Sequence, residues 1–502
     1  AENRAGSAKW KDRLLKHLSV FEKHDLLDVW HDKHIRGGAA WECEIDQAIN
    51  NARVAIILLT KETLESEFIR EKELVPLSRR HKQEGLRVVP ILCEPCAWKE
   101  HHWLASVQVR PFEAKPLSEL PGTEVDRVLR HLATEIAEHL SEAALRELPK
   151  PDQPLSPDRI YLTKLPLTYT SKLVGREQEI ALFDLAFAHA QTAVLSLVAW
   201  GGVGKTALVI HWLNRLHRAN WFGVRRIYAW SFYSQGTRED RQASEDSFLA
   251  HALQWFGVDC DPAMSPEAKG HLLADAVARE RTLLILDGIE PLQHPPGPMG
   301  GRLHALGVQT LLRRLATTGQ PGLCVVTTRE SLTDLLDYER RPDELWGNAV
   351  RVDLGNLTED AGAALLHHAG ARRAGAAEIQ PDDDELRAAS RKVDGHALTL
   401  NLLGSFLGRA YHGDIRRRDR VKFRKADAKT QGGPRLQNAG RLREMARHWH
   451  RRRPSPSCRS ATHGFVRPAR QRQLPDCPAV RTHPWPYRAT GRISQRRLGI
   501  LS

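Results

Sequence analysis

An apolar stretch of strand length, a glycine-rich turn and an amphipathic helix follow without a break in AVLSLVAWGGVGKTALVIHWLNRLH, residues 193–217. That order constrains the fold more than any other feature of the chain. A strand that feeds directly into a helix belongs to a parallel sheet with helices on its faces. Glycine lets the backbone approach an anion, and the loop N–H groups together with the helix N-terminus cradle phosphate. Gly201, Gly202 and Gly204 form the turn. Lys205 then neutralises the β- and γ-phosphates of a nucleotide, and the Thr206 hydroxyl binds Mg2+. The full spacing asks for glycine at position 199, where this chain has Ala. That residue opens the loop rather than wrapping the phosphates.

Two later strands complete the pattern. RTLLILDGIEPLQ (281–293) is an apolar strand ending in Asp287, 82 residues after Lys205. A carboxylate at a strand end is where Mg2+ is held through water. Glu290 is either the base that orients an attacking water or a carboxylate at a helix start. LCVVTTR (323–329) is the third strand, and Arg329 at its end is placed to sense a γ-phosphate. The expected cofactors are ATP or ADP with Mg2+.

At 502 residues the chain is too long for one core, so several domains are expected. Residues 1–140 alternate helix-like and strand-like patterns, as in the helix WECEIDQAINNA, the buried strand VAIILLT and the helix TEVDRVLRHLATEIAEHL, with Thr123 as its N-cap. Residues 141–171 carry a proline-rich linker, 172–330 a second α/β block, and 331–425 mostly helix. No apolar run approaches the ~20 residues of a membrane helix. Seven scattered cysteines without a framework fit a reducing cytoplasm. CEPC at 93–96 is half of a zinc site with no second half at suitable spacing.

In order, LVGRE (173–177), GGVGKT, LLILDGIE, TTR and GHALTLNLLG (395–404) resemble the STAND class of signal-transduction ATPases, close to NB-ARC. AWSFYSQGT (229–237) is similar to a signature of one bacterial branch. The resemblance implies that Val174 and Arg176 lie near the adenine. It also implies that the GHAL turn touches the nucleotide from the helical domain, with Ala397 where relatives carry Pro. A switch is implied: ADP-bound off, ATP-bound on, with self-association in the on state. A nucleotide held between two domains favours one arrangement through its differential contacts.

DVWHDKHIRGGAAWECEIDQAI, VAIILLTKETLESEFIREKELVPL and VVPILCEPCAW resemble a bacterial TIR domain. The implied fold is flavodoxin-like. The implied functions are homotypic binding between TIR domains and cleavage of NAD at the nicotinamide–ribose bond. Such a site needs a carboxylate held against the ribose. The family places it about seven residues after a Ser, which selects Glu73 after Ser66. Glu71 is the neighbour a one-residue slip would choose, and Glu67, Arg70 and Lys72 share a charged helix in which carboxylates are ordinarily solvated. Ile69 stands where the family often has Cys, and RGG at 36–38 replaces a Pro-Gly turn.

Both ends depart from this pattern. AENRAGSAKWKD contains no apolar strand, whereas TIR domains open on one that is central in the sheet, so two unpaired ladders are expected. From residue 434 onward there are 16 Arg, no Lys and two acids. That segment carries +14 against +13 for the whole chain, leaving −1 for the rest. Residues 426–502 show no period of 2 or 3.6, and regular structure is not expected there. They fit a shifted reading frame of a GC-rich gene better than a disordered basic arm, since Glu444-Met445-Ala446 shifts to Lys or Arg followed by Trp with little codon freedom. A shifted frame would leave this copy inactive.

The reading is thus a cytoplasmic defence sensor: a TIR effector, a nucleotide switch, and a trigger read by C-terminal repeats that are not present. It involves self-association through the TIR and NTPase domains and no membrane. A non-enzymatic TIR scaffold is one alternative. A nucleic-acid-binding ATPase using a genuine Arg tail is the other.

Overall fold

The computed structural model describes residues 5–23, 27–31, 41–67, 69–112, 115–148, 155–165, 173–232, 244–339, 348–373, 379–420, 423–424, 435–436 and 497–501. The RGG turn, the end of AWSFYSQGT, much of the proline-rich stretch and most of the basic segment lie outside the described residues.

The N-terminal α/β domain runs α1 (Ala5–Glu22), β1 (Asp28–Trp30), α2 (Trp41–Asn51), β2 (Ala52–Leu59), α3 (Lys61–Glu65), a π-helical turn (Ile69–Leu74), α4 (Val75–Glu84), β3 (Arg87–Leu92), α5 (His102–Ala105) and α6 (Gly122–Arg146). β2 is buried along almost its whole length, as its unbroken apolar run requires of a parallel strand covered on both faces. Thr60 caps α3, its hydroxyl accepting from the Thr63 N–H at 3.2 Å. Pro76 sits in the first turn of α4, where a missing N–H costs nothing. Gly85 ends that helix at φ +71. α6 starts one residue before the expected Thr123, with Pro121 at the cap.

All strands of this sheet are parallel, in the order β1, Arg497–Leu501, β2, β3. The late strand pairs Val29 with Leu498 on one side and Ile56 with Ile500 on the other. This corrects the expectation of two unpaired ladders. The central position is filled by five residues from the far end of the sequence.

The central domain holds six parallel strands in the order β4 (Ile160–Tyr161), β6 (Arg226–Ser231), β7 (Thr282–Asp287), β8 (Leu323–Thr328), β5 (Val194–Val198), β9 (Ala349–Asp353). β4 comes from the stretch expected to be linker. The covering helices are α7 (Glu177–Ala188), α8 (Lys205–Arg218), α9 (Glu245–Trp255), α10 (Pro266–Ala278) and α11 (Leu306–Thr318). α12 (Glu359–His368), α13 (Asp384–Arg391) and α14 (Ala397–Ala410) form the small helical domain around Leu366, Leu386, Leu400 and Leu407.

One hydrophobic core runs from Leu14 and Leu18 of α1 through Leu129 and Ile136 of α6 to Phe183 of α7 and Trp212 of α8. α6 therefore belongs to two domains at once. It also reaches the third, since Arg127 pairs with Asp360 of α12 at 3.1 Å. Asp360 in turn accepts from Arg387 of α13 at 2.8 Å.

Candidate functional site

The phosphate loop lies between β5 and α8, as its sequence requires. Gly202 and Gly204 adopt φ +88 and +114, which L side chains avoid. Gly204 caps α8, so the helix N-terminus opens on the loop. Lys205 is buried at 6 % exposure, and its ammonium donates to the carbonyls of Ala199 at 2.6 Å and Trp200 at 3.3 Å. Burial pushes this ammonium below the ordinary lysine range; Glu290 and Asp287 oppose that effect and Arg329 adds to it.

The structure brings Thr206 and Asp287 together. The Thr206 hydroxyl donates to Asp287 Oδ1 at 2.8 Å. Thr327 donates to the same oxygen at 2.8 Å, and Ser231 donates to Oδ2 at 3.2 Å. Thr327 also accepts from the Gly288 N–H at 2.8 Å, which fixes the turn after β7. Three strands thus converge on one carboxylate. This all-oxygen set fits Mg2+, which would take Thr206 and Asp287 with phosphate oxygens and water. Among the described residues no group of three or more His, Cys, Asp or Glu could hold a metal. Cys93 is buried and Cys96 half-buried, and burial raises both thiols.

Glu290 begins a single 3-10 turn, Glu290–Leu292. Its Oε1 stands 4.0 Å from Lys205 Nζ and 3.5 Å from Arg329 Nε. Arg329 is half exposed and lies against Gly201, with Cζ 3.4 Å from where a Cβ would be. Lys205, Glu290 and Arg329 therefore form one charged row beside the loop.

The helical domain closes over this row. The His396 Nε2 lies 3.0 Å from the Gly201 carbonyl, and the Leu398 N–H donates to the Gly202 carbonyl at 2.9 Å. A carbonyl only accepts, so Nε2 carries the proton. Nδ1 accepts from the Thr399 hydroxyl at 2.8 Å and its N–H at 3.4 Å, capping α14. Ala397 sits between these two residues as the first of α14. A Cβ on Gly202 would lie 2.8 Å from His396 Cε1, so only glycine admits the ring.

Val174 packs on the helical-domain core. Arg176 is buried, donating to the carbonyls of Gly355 at 2.7 Å and Val203 at 3.4 Å and pairing with Glu179 at 2.9 Å. It ties the loop to the connection between the two domains. Ser231, Thr327, His396 and Leu398 were not singled out in the sequence. All four lie within stretches that resemble the family, AWSFYSQGT, TTR and GHALTLNLLG, where the resemblance assigns none of them a role.

In the N-terminal domain Glu67 and Glu71 are exposed, whereas Glu73 is 7 % exposed within the π-helical turn. Such turns concentrate at functional sites. The Ser66 hydroxyl accepts from the Ile69 N–H at 3.3 Å and shapes the entry to that turn.

Residues 6–121 match the family model of the TIR domain. The uncharacterized protein y4lF of Sinorhizobium fredii (strain NBRC 101917 / NGR234) is 25 % identical over 128 residues, 26 % of this chain and 39 % of that protein. The chain thus spans about two fifths of that curated relative's length. Among solved structures, the Aeropyrum pernix ORC1 protein in complex with DNA is 21 % identical with TM-score 0.33, covering 51 % of this chain and 68 % of its own. Drosophila ORC bound to DNA is 14 % identical with TM-score 0.32, covering 57 % and 72 %. The Aeropyrum pernix ORC2 protein (ADPNP–ADP complexes) is 12 % identical with TM-score 0.32, covering 50 % and 69 %. No helix among the described residues is long and apolar enough to cross a membrane.

Proposed function

We propose that this chain is a nucleotide-controlled signalling switch of the STAND kind whose output is its TIR domain. The observation that carries the reading is the seat of the helical domain on the phosphate loop. His396 and Leu398 engage the carbonyls of Gly201 and Gly202, in the loop that would bind the phosphates. A γ-phosphate adds charge beside Lys205, Glu290 and Arg329, so ATP and ADP would differ in how they tolerate this seat. Val174 and Arg176 would flank the base. Mg2+ on Thr206 and Asp287 would shield phosphate charge. Glu290, between Lys205 and Arg329, is placed to orient water for slow hydrolysis.

In the on state the TIR domains of several copies come together and cleave NAD. Glu73 is the carboxylate assigned to the ribose. The bond between the anomeric carbon and the nicotinamide nitrogen breaks, its electron pair leaving with neutral nicotinamide. Glu73 stabilises the oxocarbenium-like charge left behind. Water then adds to that carbon and releases a proton. Burial of Glu73 supports the role, since a desolvated carboxylate acts more strongly on a developing cation. Cleavage of a shared cofactor suits a cytoplasmic defence response.

The test measures ADP and ATP affinity and NAD loss on the full chain. Lys205→Ala lowers nucleotide affinity by about tenfold to a hundredfold, and Glu73→Ala abolishes NAD loss while leaving nucleotide binding intact. Nucleotide binding without NAD loss under ATP would retain the switch and replace the enzyme with a scaffold.

A further inference from the structure

The N-terminal sheet contains a part whose sequence origin sets it apart from its neighbours. β1 and β2 follow each other in the chain with one helix between them. They are not paired. Arg497–Leu501 lies between them, parallel to both, more than 400 residues downstream. Its seat is short on one side, with three residue pairs to β1 against five to β2. By contrast, β2 and β3 share six pairs in continuous register. The late strand also slips against β2. Arg497 pairs with Ala52 but Leu498 with Val54, so Arg53 is passed over. Such an irregularity marks a ladder that is locally disrupted.

These features make the strand's hold small. The pairs it gains are few, and each intramolecular hydrogen bond is worth little net of its exchange with water. Ordering the backbone of five residues opposes them at similar size. The long sequence separation adds a closure cost that local pairing lacks. The position is nonetheless decisive. An interior strand of a parallel sheet pairs on both edges, and its removal exposes two ladders facing each other across one strand's width. That geometry accepts an extended segment by strand addition.

We propose that the space between β1 and β2 is a strand-binding slot and that Arg497–Leu501 is its exchangeable occupant. Ligands of open α/β sheets bind beyond the carboxyl ends of the strands where the strand order reverses. In the order observed, the chain runs β1, β2, β3 in one direction and then returns to the position between β1 and β2. A crevice beyond the carboxyl ends of β1 and β2, toward α3 and the π-helical turn, would be complete only while the slot is filled. This consequence rests on the effector reading above, whereas the slot does not.

Hydrogen exchange on the full chain tests it, read on the amides of Asp28–Trp30 and Val54–Ile57. In the double variant Leu498→Pro, Ile500→Pro, those amides exchange at least about tenfold faster while β5 to β8 of the central domain stay as protected as in the parent. A synthetic peptide of residues 495–502 restores their protection in the variant and, in large excess, is taken up by the parent in place of its own strand. Unchanged protection of β1 and β2 in the variant overturns the proposal. So does loss of protection that the peptide cannot restore, which makes the strand a fixed part of the core. Loss of protection in the central domain as well overturns it in the same way. Because the readout is backbone protection, it is independent of whether Glu73 cleaves NAD.

Discussion

Replacing His396 removes the side-chain half of the seat between the helical domain and the phosphate loop. The ring makes one hydrogen bond across the interface, to the Gly201 carbonyl at 3.0 Å. The Leu398 N–H to Gly202 bond at 2.9 Å is backbone and survives the substitution. One neutral hydrogen bond is worth about 0.5–1.5 kcal/mol. If ADP leaves only when the domains part, that is roughly a two- to twelvefold faster release. His396 also caps α14, and loss of a cap costs about 0.5–2 kcal/mol on its own account. His396→Asn separates the two effects, because Asn caps a helix but is too short to reach the loop. Stopped-flow displacement of a fluorescent ADP should show His396→Ala and His396→Asn both releasing faster than the parent, with the Asn variant melting at the parent temperature. Release from His396→Asn at the parent rate would refute the reasoning, since the cap alone would then explain the Ala variant.

Other expectations are smaller in scope. Lys205→Ala should lower ADP affinity by about tenfold to a hundredfold, the worth of a charge-assisted bond, read by calorimetry. Glu73→Ala should abolish NAD loss while Glu71→Ala, at an exposed position, leaves it unchanged; the reverse result would move the site by two residues. Asp184 lies fully buried between α7 and α8, and burial lifts its carboxyl to about 6 from 3.8 against the pull of Arg215 and the Trp212 N–H. The folded state thus holds that proton more tightly than the unfolded state, so the contribution of this group to stability is full below pH 3.8 and is lost as pH rises through about 6. Between pH ~4.5 and ~7.5 the parent should lose about 2 kcal/mol relative to Asp184→Asn, measured by urea unfolding. Parallel pH profiles would show that Asp184 titrates normally.

What the sequence disclosed follows the range of the interactions involved. The phosphate loop is a contiguous string whose function lies in its own backbone, so GGVGKT and its flanking strand and helix were legible directly. Asp287 was legible because a strand end after an apolar run has few roles beside that loop. Ser231 and Thr327 were quoted within recognisable stretches but not assigned. Their hydroxyls matter only because β6, β7 and β8 are neighbours in the sheet, and spacing along the chain does not encode that adjacency. The GHAL turn lies against the loop, yet the family position drew attention to Ala397 while His396 and Leu398 make the polar contacts. Among Glu67, Glu71 and Glu73, periodicity in a charged helix could not choose. A π-helical turn breaks the 3.6-residue period there and buries only the third. The late strand was illegible for the strongest reason. Its partners lie more than 400 residues away, and five residues in an aperiodic segment carry no sign of where they will pair.

α6 has a thermodynamic consequence beyond holding the domains together. Its 25 residues span about 37 Å. Along that length Arg127 meets Asp360 of the helical domain, and Glu135 binds Arg87 and Arg110 beside the N-terminal sheet. If nucleotide exchange loosens the first contact and thereby alters the TIR crevice, linkage makes the effect reciprocal. Whatever occupies the crevice must then change the affinity for ADP by the same factor. Under the proposed function that occupant is NAD, which would then act as an effector of nucleotide exchange before any of it is cleaved, its concentration helping to set the threshold of the switch.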